Sequence, residues 1–474
     1  MPYITGERKQ ALLLPSSIED YISPDDPVRA YDAFVDQLDF VQLGIQIDPY
    51  QVGHPEFDPR AMLKLLVYGY SYGLRSSRKL ERATYHNLSF IWLAGGLKPD
   101  HKTIARFRRN NRDTLKNVLK QCAQVCMKLG LIEGNTLFVD GTKIRANVSM
   151  KHTWTQERCK KSLQEIDERI DSILSECDGV DEKEQDQFSL VKMNGELRHQ
   201  SHLKAEIKSI LKSLKKEERT AINTTDPECG RFRHGREIRD GYNCQSVVDD
   251  KHGLIVHSDV VNDGNDMRQF SKQISGAQET LKKKCQTACA DAGYASPLEL
   301  KKALDQGVDV IVPLIRLSDF RDNFTYDKEK DTYTCPENHE LVYAGINRRN
   351  KSHMYHISDP TLCRQCPRFG VCTTAFQGRR VERPFSEETR EILGQRYKQP
   401  EAQTIFRRRK MRVEHPFGHI KQNLGMRTFL LRGLAGAKAE VALAATSFNL
   451  TRIVTLMGVK GFIQKLTPVP VGTS

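Results

Sequence analysis

The hydrophobic pattern changes character three times along the chain. From about residue 25 to 135, apolar positions return at helical spacing. Asp58-Pro59 is a helix start, the acid serving as N-cap and the proline opening the first turn. Met62, Leu65, Leu66 and Tyr68 then hold one face through 60–72. A second helix is expected over 77–86, and Asp100 opens a third that carries Ile104 and Phe107. A different pattern begins at Thr136. Thr136-Leu-Phe-Val-Asp140 reads as a buried strand with an acid at its tip, and 143–148 as a second strand. Residues 155–220 return to a helical period, with Leu163, Ile166, Ile170, Ile173 and Leu174 as the stripe.

Two strands at 242–248 and 254–259, joined by Asp249-Asp-Lys-His-Gly253, predict a hairpin. A helix over 266–283 follows, then a short strand ending at Asp291. Ser296-Pro-Leu-Glu299 predicts a capping box at the next helix, before a strand over 308–313. The third regime, 320–384, reads as irregular and rich in cysteine, and from Ser386 to Leu466 the pattern is helical again. The sum is an α/β core flanked by helical parts. The expected division is a helical domain over 1–130, a core over 131–320 with a helical insert at about 151–220, a Cys-rich insert over 321–384, and a helical part of the core over 385–474.

Composition changes this picture in one respect. The 474 residues hold 73 Lys and Arg against 60 Asp and Glu, a net charge of +13, so a polyanionic partner is expected. The basic excess is local. Residues 101–130 carry eight Lys or Arg and one acid, and 401–432 carry eight and two. The helical insert, at 14 to 15 over 151–220, adds none. Several short helices, one of them basic through Arg106, Arg108 and Arg109, suggest a helix-turn-helix-like DNA contact, with a solvated helix face as the alternative. No secretion signal is read at the start, and no uninterrupted apolar span; the 437–457 stretch is broken by Lys438, Glu440 and Arg452.

Three acids are the candidate chemistry. Asp140 and Asp291 each end a short strand, where reactive sites gather in α/β sheets. Two converging carboxylates favour hard divalent cations such as Mg²⁺, which also bridge to phosphates. Glu414 is the candidate third ligand, an acid inside a basic helix. Arg407, Glu414 and Lys421 are seven residues apart and share a helix face, with Lys410 beside them, provided that Pro416 bends the helix only modestly. An acid framed by cations suits a phosphate backbone beside a metal.

The segments Phe-Val-Asp140-Gly-Thr-Lys-Ile, Gly-Tyr-Asn243-Cys-Gln, Ala-Asp291-Ala-Gly-Tyr and Arg-Val-Glu414-His-Pro-Phe-Gly-His-Ile-Lys421, in this order, resemble the DDE transposases of bacterial insertion sequences. The stretch from Phe57 to Tyr70, with Lys79-Leu-Glu-Arg and Thr103-Ile-Ala-Arg-Phe-Arg, resembles their N-terminal helical domain. The most similar group is the one written IS-eleven-eighty-two. The resemblance implies a ribonuclease H-like mixed-sheet core and two Mg²⁺ (or Mn²⁺) ions held by Asp140, Asp291 and Glu414. It also implies cleavage and strand transfer on double-stranded DNA, at terminal inverted repeats and at a target, by a homodimer in the bacterial cytoplasm at the nucleoid. Such transposases carry Tyr and Arg seven and four positions before the Glu and Lys seven after it. Here those places hold Arg407, Lys410 and Lys421, so Lys421 alone matches. A nuclease that cuts without joining, and a non-catalytic DNA-binding protein, are the rival readings.

The cysteines form a second constellation. Cys335, Cys363, Cys366 and Cys372 stand in two groups, one a C-x-x-C, as a tetrahedral Zn²⁺ site would need. Reduced structural thiols are the alternative. Cys122/Cys126 and Cys285/Cys289 read as core thiols four apart on helices, and Trp92 and Trp154 as packing residues. His415 and His419 lack the H-E-x-x-H order of zinc proteases.

Overall fold

The computed structural model describes residues 17–47, 56–181, 187–234, 237–314 and 323–466. The parts of the expected elements at 48–55, 182–186 and 320–322 lie outside these residues. Two compact units interleave along the chain. The first takes Met1–Glu133, Gly141–Asn265 and Glu414–Ser474; the second takes Gly134–Asp140 and Asp266–Val413.

The first unit opens with helices α1 (Pro27–Asp36), α2 (Phe40–Leu43), α3 (Pro59–Ser71), α4 (Ser77–His86), α5 (Leu88–Leu93), α6 (His101–Asn110) and α7 (Arg112–Lys128). Two starts follow the predicted capping chemistry, Asp58 accepting from Arg60 N and Asp100 from Thr103 N; Asp26, not singled out in the sequence, caps α1 in the same way through Val28 N, each acid satisfying an orphan donor. From Met62 to Tyr70 nearly every residue of α3 is buried, as a helix enclosed by neighbours must be.

Strand β1 (Thr136–Arg145) passes from the second unit into the first. The two strands expected at 136–140 and 143–148 are thus one, because Gly141 stays in the ladder. Next come β2 (Thr153–Thr155), the helices α8 (Gln156–Asp181) and α9 (Gln187–Lys216), and β3 (Ala221–Asn223), which pairs with β2. The helices pack on each other through Cys159, Ile166, Ile207 and Leu214. Ile173 is buried but Leu174 is exposed, since adjacent helix positions stand about 100° apart and one stripe cannot take both. Strand β4 (Gly230–His234) pairs antiparallel with β5 (Glu237–Asp249), and β5 with β6 (Ile255–Val261), the predicted hairpin. β5 also pairs with β1. A Cβ on Gly241 would sit 2.4 Å from the Ile144 carbonyl oxygen, so this close strand crossing requires glycine.

In the second unit α10 (Phe270–Leu281) leads to β7 (Thr287–Cys289), α11 (Pro297–Leu304) and β8 (Asp309–Ile311). β1, β7 and β8 run parallel in that order. Ser296 caps α11 without the side-chain bond expected; Glu299 instead reaches Ser271 and Lys302. Cys285 precedes β7 and Cys289 lies in it, so this pair is not helical as expected, although both thiols are buried. The stretch expected to be irregular is an antiparallel sheet of β9 (Thr325–Asp327), β10 (Thr332–Thr334), β11 (Glu340–Asn347), β12 (Ser352–Ile357) and β13 (Arg380–Pro384), paired in sequence order, with the short helix α12 (Pro360–Arg364) between the last two. The first two strands are three residues each, too short to show a period. Their core is aromatic, and the Tyr326 and Tyr355 hydroxyls both donate to Asp331 Oδ1, at 2.7 and 2.6 Å.

Helix α13 (Glu387–Lys398) is tied to β8 by Arg396, whose guanidinium makes a two-pronged contact with Asp309 at 2.7 and 2.6 Å. Helix α14 (Pro400–Gln422) continues through Pro416 rather than ending there. Pro416, Phe417 and Ile420 are buried, and that packing holds the last turns despite the lost hydrogen bond.

Helix α15 (Gly433–Leu466) is apolar and long enough to cross a membrane by length and composition, but packs on α1, α3, α7 and β6 of its own unit. Its buried polar groups have partners. Asn449 accepts from Ile255 N and donates to Ile255 O, each at 2.8 Å, standing in for a strand neighbour at β6. Glu440 is fully buried. Its Oε1 accepts from Leu430 N and Leu431 N, and Oε2 pairs with Arg75 Nη1 at 3.2 Å. Arg75 also donates to the Thr428 and Gly425 carbonyls. Burial pushes the Glu440 carboxyl up, while the Leu431 amide, Arg108 and Arg75 oppose the shift. Replacing Glu440 with Ala would strand Arg75, and a loss of about 3–5 kcal/mol is expected. Urea unfolding of Glu440→Ala against wild type measures it, with Glu440→Gln expected to lose less.

Candidate active site

The two aspartates are brought together by strand register. On β1 and β7, Thr136 faces Thr287, Leu137 faces Ala288 and Phe138 faces Cys289. Asp140 and Asp291 each stand two positions past the last of these pairs: Asp140 lies mid-strand, because β1 runs on to Arg145 and does not end at the acid as expected, while Asp291 follows the end of β7 and opens the next turn. The residues leading to them, Leu137, Phe138, Val139, Ala288, Cys289 and Ala290, are all buried, as both faces of a parallel strand require. Polarity appears where that run stops.

Each acid is held. Asp140 Oδ1 lies 3.8 Å from Arg409 Nη1, with both side chains sheltered, at 16% and 14% exposure. Asp291 caps the short turn that follows it, its Oδ1 accepting from Gly293 N at 2.8 Å. Asp266 joins them: a Cβ on Gly293 would sit 2.9 Å from Asp291 Oδ1 and 3.8 Å from Asp266 Oδ2. The buried Cys289 thiol is pushed up to about 12, chiefly by desolvation, with Arg409 lowering it and Asp291 raising it. It stays protonated at neutral pH and is no nucleophile.

Sequence reasoning missed Arg409 and Asp266. Arg409 sits in a run of four basic residues where composition gives no reason to prefer it. Asp266 read as a helix start, whereas α10 begins at Phe270.

Glu414 is exposed on α14 and belongs to the first unit. Because α14 is continuous, Arg407, Glu414 and Lys421 keep the expected shared face. Arg407 and Lys410 are exposed, and Lys421 Nζ donates to Thr142 Oγ1, two residues past Asp140 on β1. In the N-terminal helices Arg106 and Arg109 are exposed. Arg108, expected among the DNA contacts, is 5% exposed and turned inward. Its guanidinium donates to the Arg75 carbonyl at 2.8 Å and to Ser77 Oγ at 3.4 Å, so it braces the α3–α4 turn.

The four cysteines Cys335, Cys363, Cys366 and Cys372 line one small cavity of about 30 Å³. Three sulfurs accept backbone N–H groups: Cys335 from His339 at 3.3 Å, Cys366 from Arg368 and Cys363 from Arg379 at 3.4 Å. Burial raises the Cys372 thiol, Arg379 lowers it, and the other three cysteines raise it further. Among the described residues, no three His, Cys, Asp or Glu side chains converge as an ion's ligand set.

Residues 16–110 match the family model described as Transposase domain (DUF772), and residues 334–454 match the one described as Transposase DDE domain. The chain carries two stretches that match transposase families, one of them the DDE domain. The DDE-domain match contains Glu414, its flanking cations and the four cysteines, while Asp140 and Asp291 lie outside both matches. DDE transposases use divalent metal ions, and carboxylate oxygens such as those of Asp140 and Asp291 are the donor chemistry such ions take. No curated protein matches this chain. Among solved structures it is similar to the piggyBac transposase of a synaptic complex with hairpin DNA, at 9% identity over 95% of this chain and 87% of that one. The TM-score is 0.27, too low to carry an argument.

The capping bond from Gly293 gives a test of the site. In Gly293→Ala the new methyl displaces the Asp291 carboxylate, the mobile side of the clash. Stability is expected to stay within about 1 kcal/mol, because the displaced group is a flexible side chain. The melting temperature of Gly293→Ala against wild type checks it.

Proposed function

We propose that this protein cuts and joins DNA at the inverted-repeat ends of an insertion sequence, through a ribonuclease H-like core that places Asp140, Asp291 and Glu414 around two Mg²⁺ or Mn²⁺ ions. The observation that carries this reading is the pair Asp140 and Asp291, one inside a parallel strand and the other just past its neighbour. The strand sequence supports it: an antiparallel run β6–β5 joins β1, followed by the parallel strands β7 and β8.

When bound, the ions supply activation of the attacking oxygen and charge neutralisation at the leaving oxygen of an in-line displacement. The rest falls to the chain. Asp291 is preset by its bond to Gly293, so its carboxylate needs little reordering. Arg409, 3.8 Å away, orients Asp140. Lys421, steadied on Thr142, with Arg407 and Lys410 on the Glu414 helix face, holds phosphates beside the reacting centre. Catalysis then rests on positioning and charge, and the 3′-hydroxyl released by cleavage attacks target DNA with no covalent enzyme intermediate. Arg106 and Arg109 contact the ends, and a homodimer handles the two ends together.

Purified protein, Mg²⁺ and labelled element ends test the reading. Asp140→Asn, Asp291→Asn and Glu414→Gln should each lower cleavage roughly a thousandfold, about 4 kcal/mol of transition-state stabilisation, while metal-free DNA binding persists. Cutting at wild-type rate by any of the three would remove that acid from the site. Cut ends that never become joined would reduce the protein to a nuclease.

The cysteine cavity belongs to the same proposal as a structural Zn²⁺ site. Its support is the shared cavity and the three N–H groups aimed at sulfur, which favour the thiolate form that a zinc site needs. Purified protein should carry about one zinc per chain, and Cys363→Ser with Cys366→Ser should lose it and lower the melting temperature. Wild-type protein free of zinc would leave the four residues as reduced core thiols.

A further inference from the structure

The first unit contains a cavity of about 410 Å³ whose walls carry six cations: Lys143 and Arg145 of β1, Arg233 of β4, Arg239 of β5, and Lys421 and Arg427 at and beyond the end of α14. Its floor is apolar, with Ile144 and Phe232 buried and Gly241 between them. Lys143 Nζ stands 5.6 Å from the Phe232 ring centre. The fold builds this wall deliberately close: Arg145 N donates to Arg427 O and Phe429 N donates to Arg145 O, clipping the 425–429 loop to the end of β1.

Among the described residues, Asp240 is the acid that lines the cavity, and it faces inward. It is buried, with the Thr153 hydroxyl and the Asn223 amide donating to its Oδ2. Glu237 pairs with Arg239 at the rim, so that one cation is shared. Lys143, Arg145, Arg233 and Arg427 are exposed. A ligand of one or two charges does not balance such a wall. A nucleic-acid backbone does, since duplex DNA carries one negative charge per ~1.7 Å of its axis.

We propose that this cleft binds the sugar–phosphate backbone of the duplex flanking the cut. The occupant's identity as substrate DNA rests on the function proposed above; the charge argument does not. Lys143 and Arg145 stand two apart on β1 and so share one face of the strand, where both are exposed. Contacts of this kind position a backbone and read no base.

The test uses the full chain, a labelled element-end duplex, EDTA, and a salt series from about 50 to 200 mM. The variant is Lys143→Gln/Arg145→Gln/Arg233→Gln. The slope of log K against log salt should become shallower by about 2.7, ~0.9 for each lost phosphate contact. The charge-keeping variant Lys143→Arg/Arg145→Lys/Arg233→Lys should restore most of it. An unchanged slope in the neutral variant overturns the proposal. So does equal loss in both variants, which would mark a structural role, or a wild type that binds no duplex. If the cleft variants behave as expected but wild type neither cuts nor joins the ends, the cleft stands and the proposed reaction falls.

Discussion

The parallel ladder of β1 and β7 imposes the first constraint on this molecule, because it sets Asp140, inside β1, beside the turn that Asp291 opens after β7. Like charges in one neighbourhood oppose each other. A fold that keeps both acids there must offset that repulsion. Arg409 does so for Asp140 from α14, and the Gly293 amide does so for Asp291 from its own turn. The two devices differ. One is a side-chain cation on a neighbouring helix, and the other is a backbone dipole in the acid's own turn.

The first unit solves a second electrostatic problem at Glu440. A carboxylate with no exposure survives because two amides and one guanidinium reach it, and that guanidinium is itself placed by Arg108 through the Arg75 carbonyl. The chain Arg108, Arg75, Glu440 ties α6, the α3–α4 turn, the 425–431 loop and α15 into one body. The same loop carries Arg427, so the basic cleft has its far wall set by a buried charge network and its near wall set by β1.

Basic residues therefore have two separate duties. Arg75, Arg108, Arg396 and Arg409 are structural, each committed to a carbonyl or carboxylate within its own unit. Lys143, Arg145, Arg233, Arg407 and Lys410 are exposed. Net charge counts both alike, yet the exposed set is what a polyanion meets. The DDE-domain match covers Glu414 and the cysteines but neither aspartate.

Much was legible along the chain. Apolar runs ending in acids located Asp140 and Asp291, because the buried stretch of each strand admits no charge, although β1 carries on past Asp140 to Arg145. Seven-residue spacing placed Arg407, Glu414 and Lys421 on one face, because helical geometry is local. Caps at Asp58 and Asp100 are local as well. Other features depend on partners far away in sequence. The three-residue strands β9 and β10 have no period to read, and exist through the ladder with β11. Arg108 looks like its basic neighbours until the Arg75 carbonyl claims it. Arg409, Asp266 and the cleft of β1, β4, β5 and the 425–429 loop join residues tens to hundreds of positions apart. The amino-acid order by itself determined most of the helices, the central strands, the acids and the excess of positive charge, since these follow from short-range periodicity and composition. Which cations face inward, which acids share a strand edge and where a charged wall forms was decided only by tertiary packing, because strand register and loop closure choose partners that no local pattern encodes.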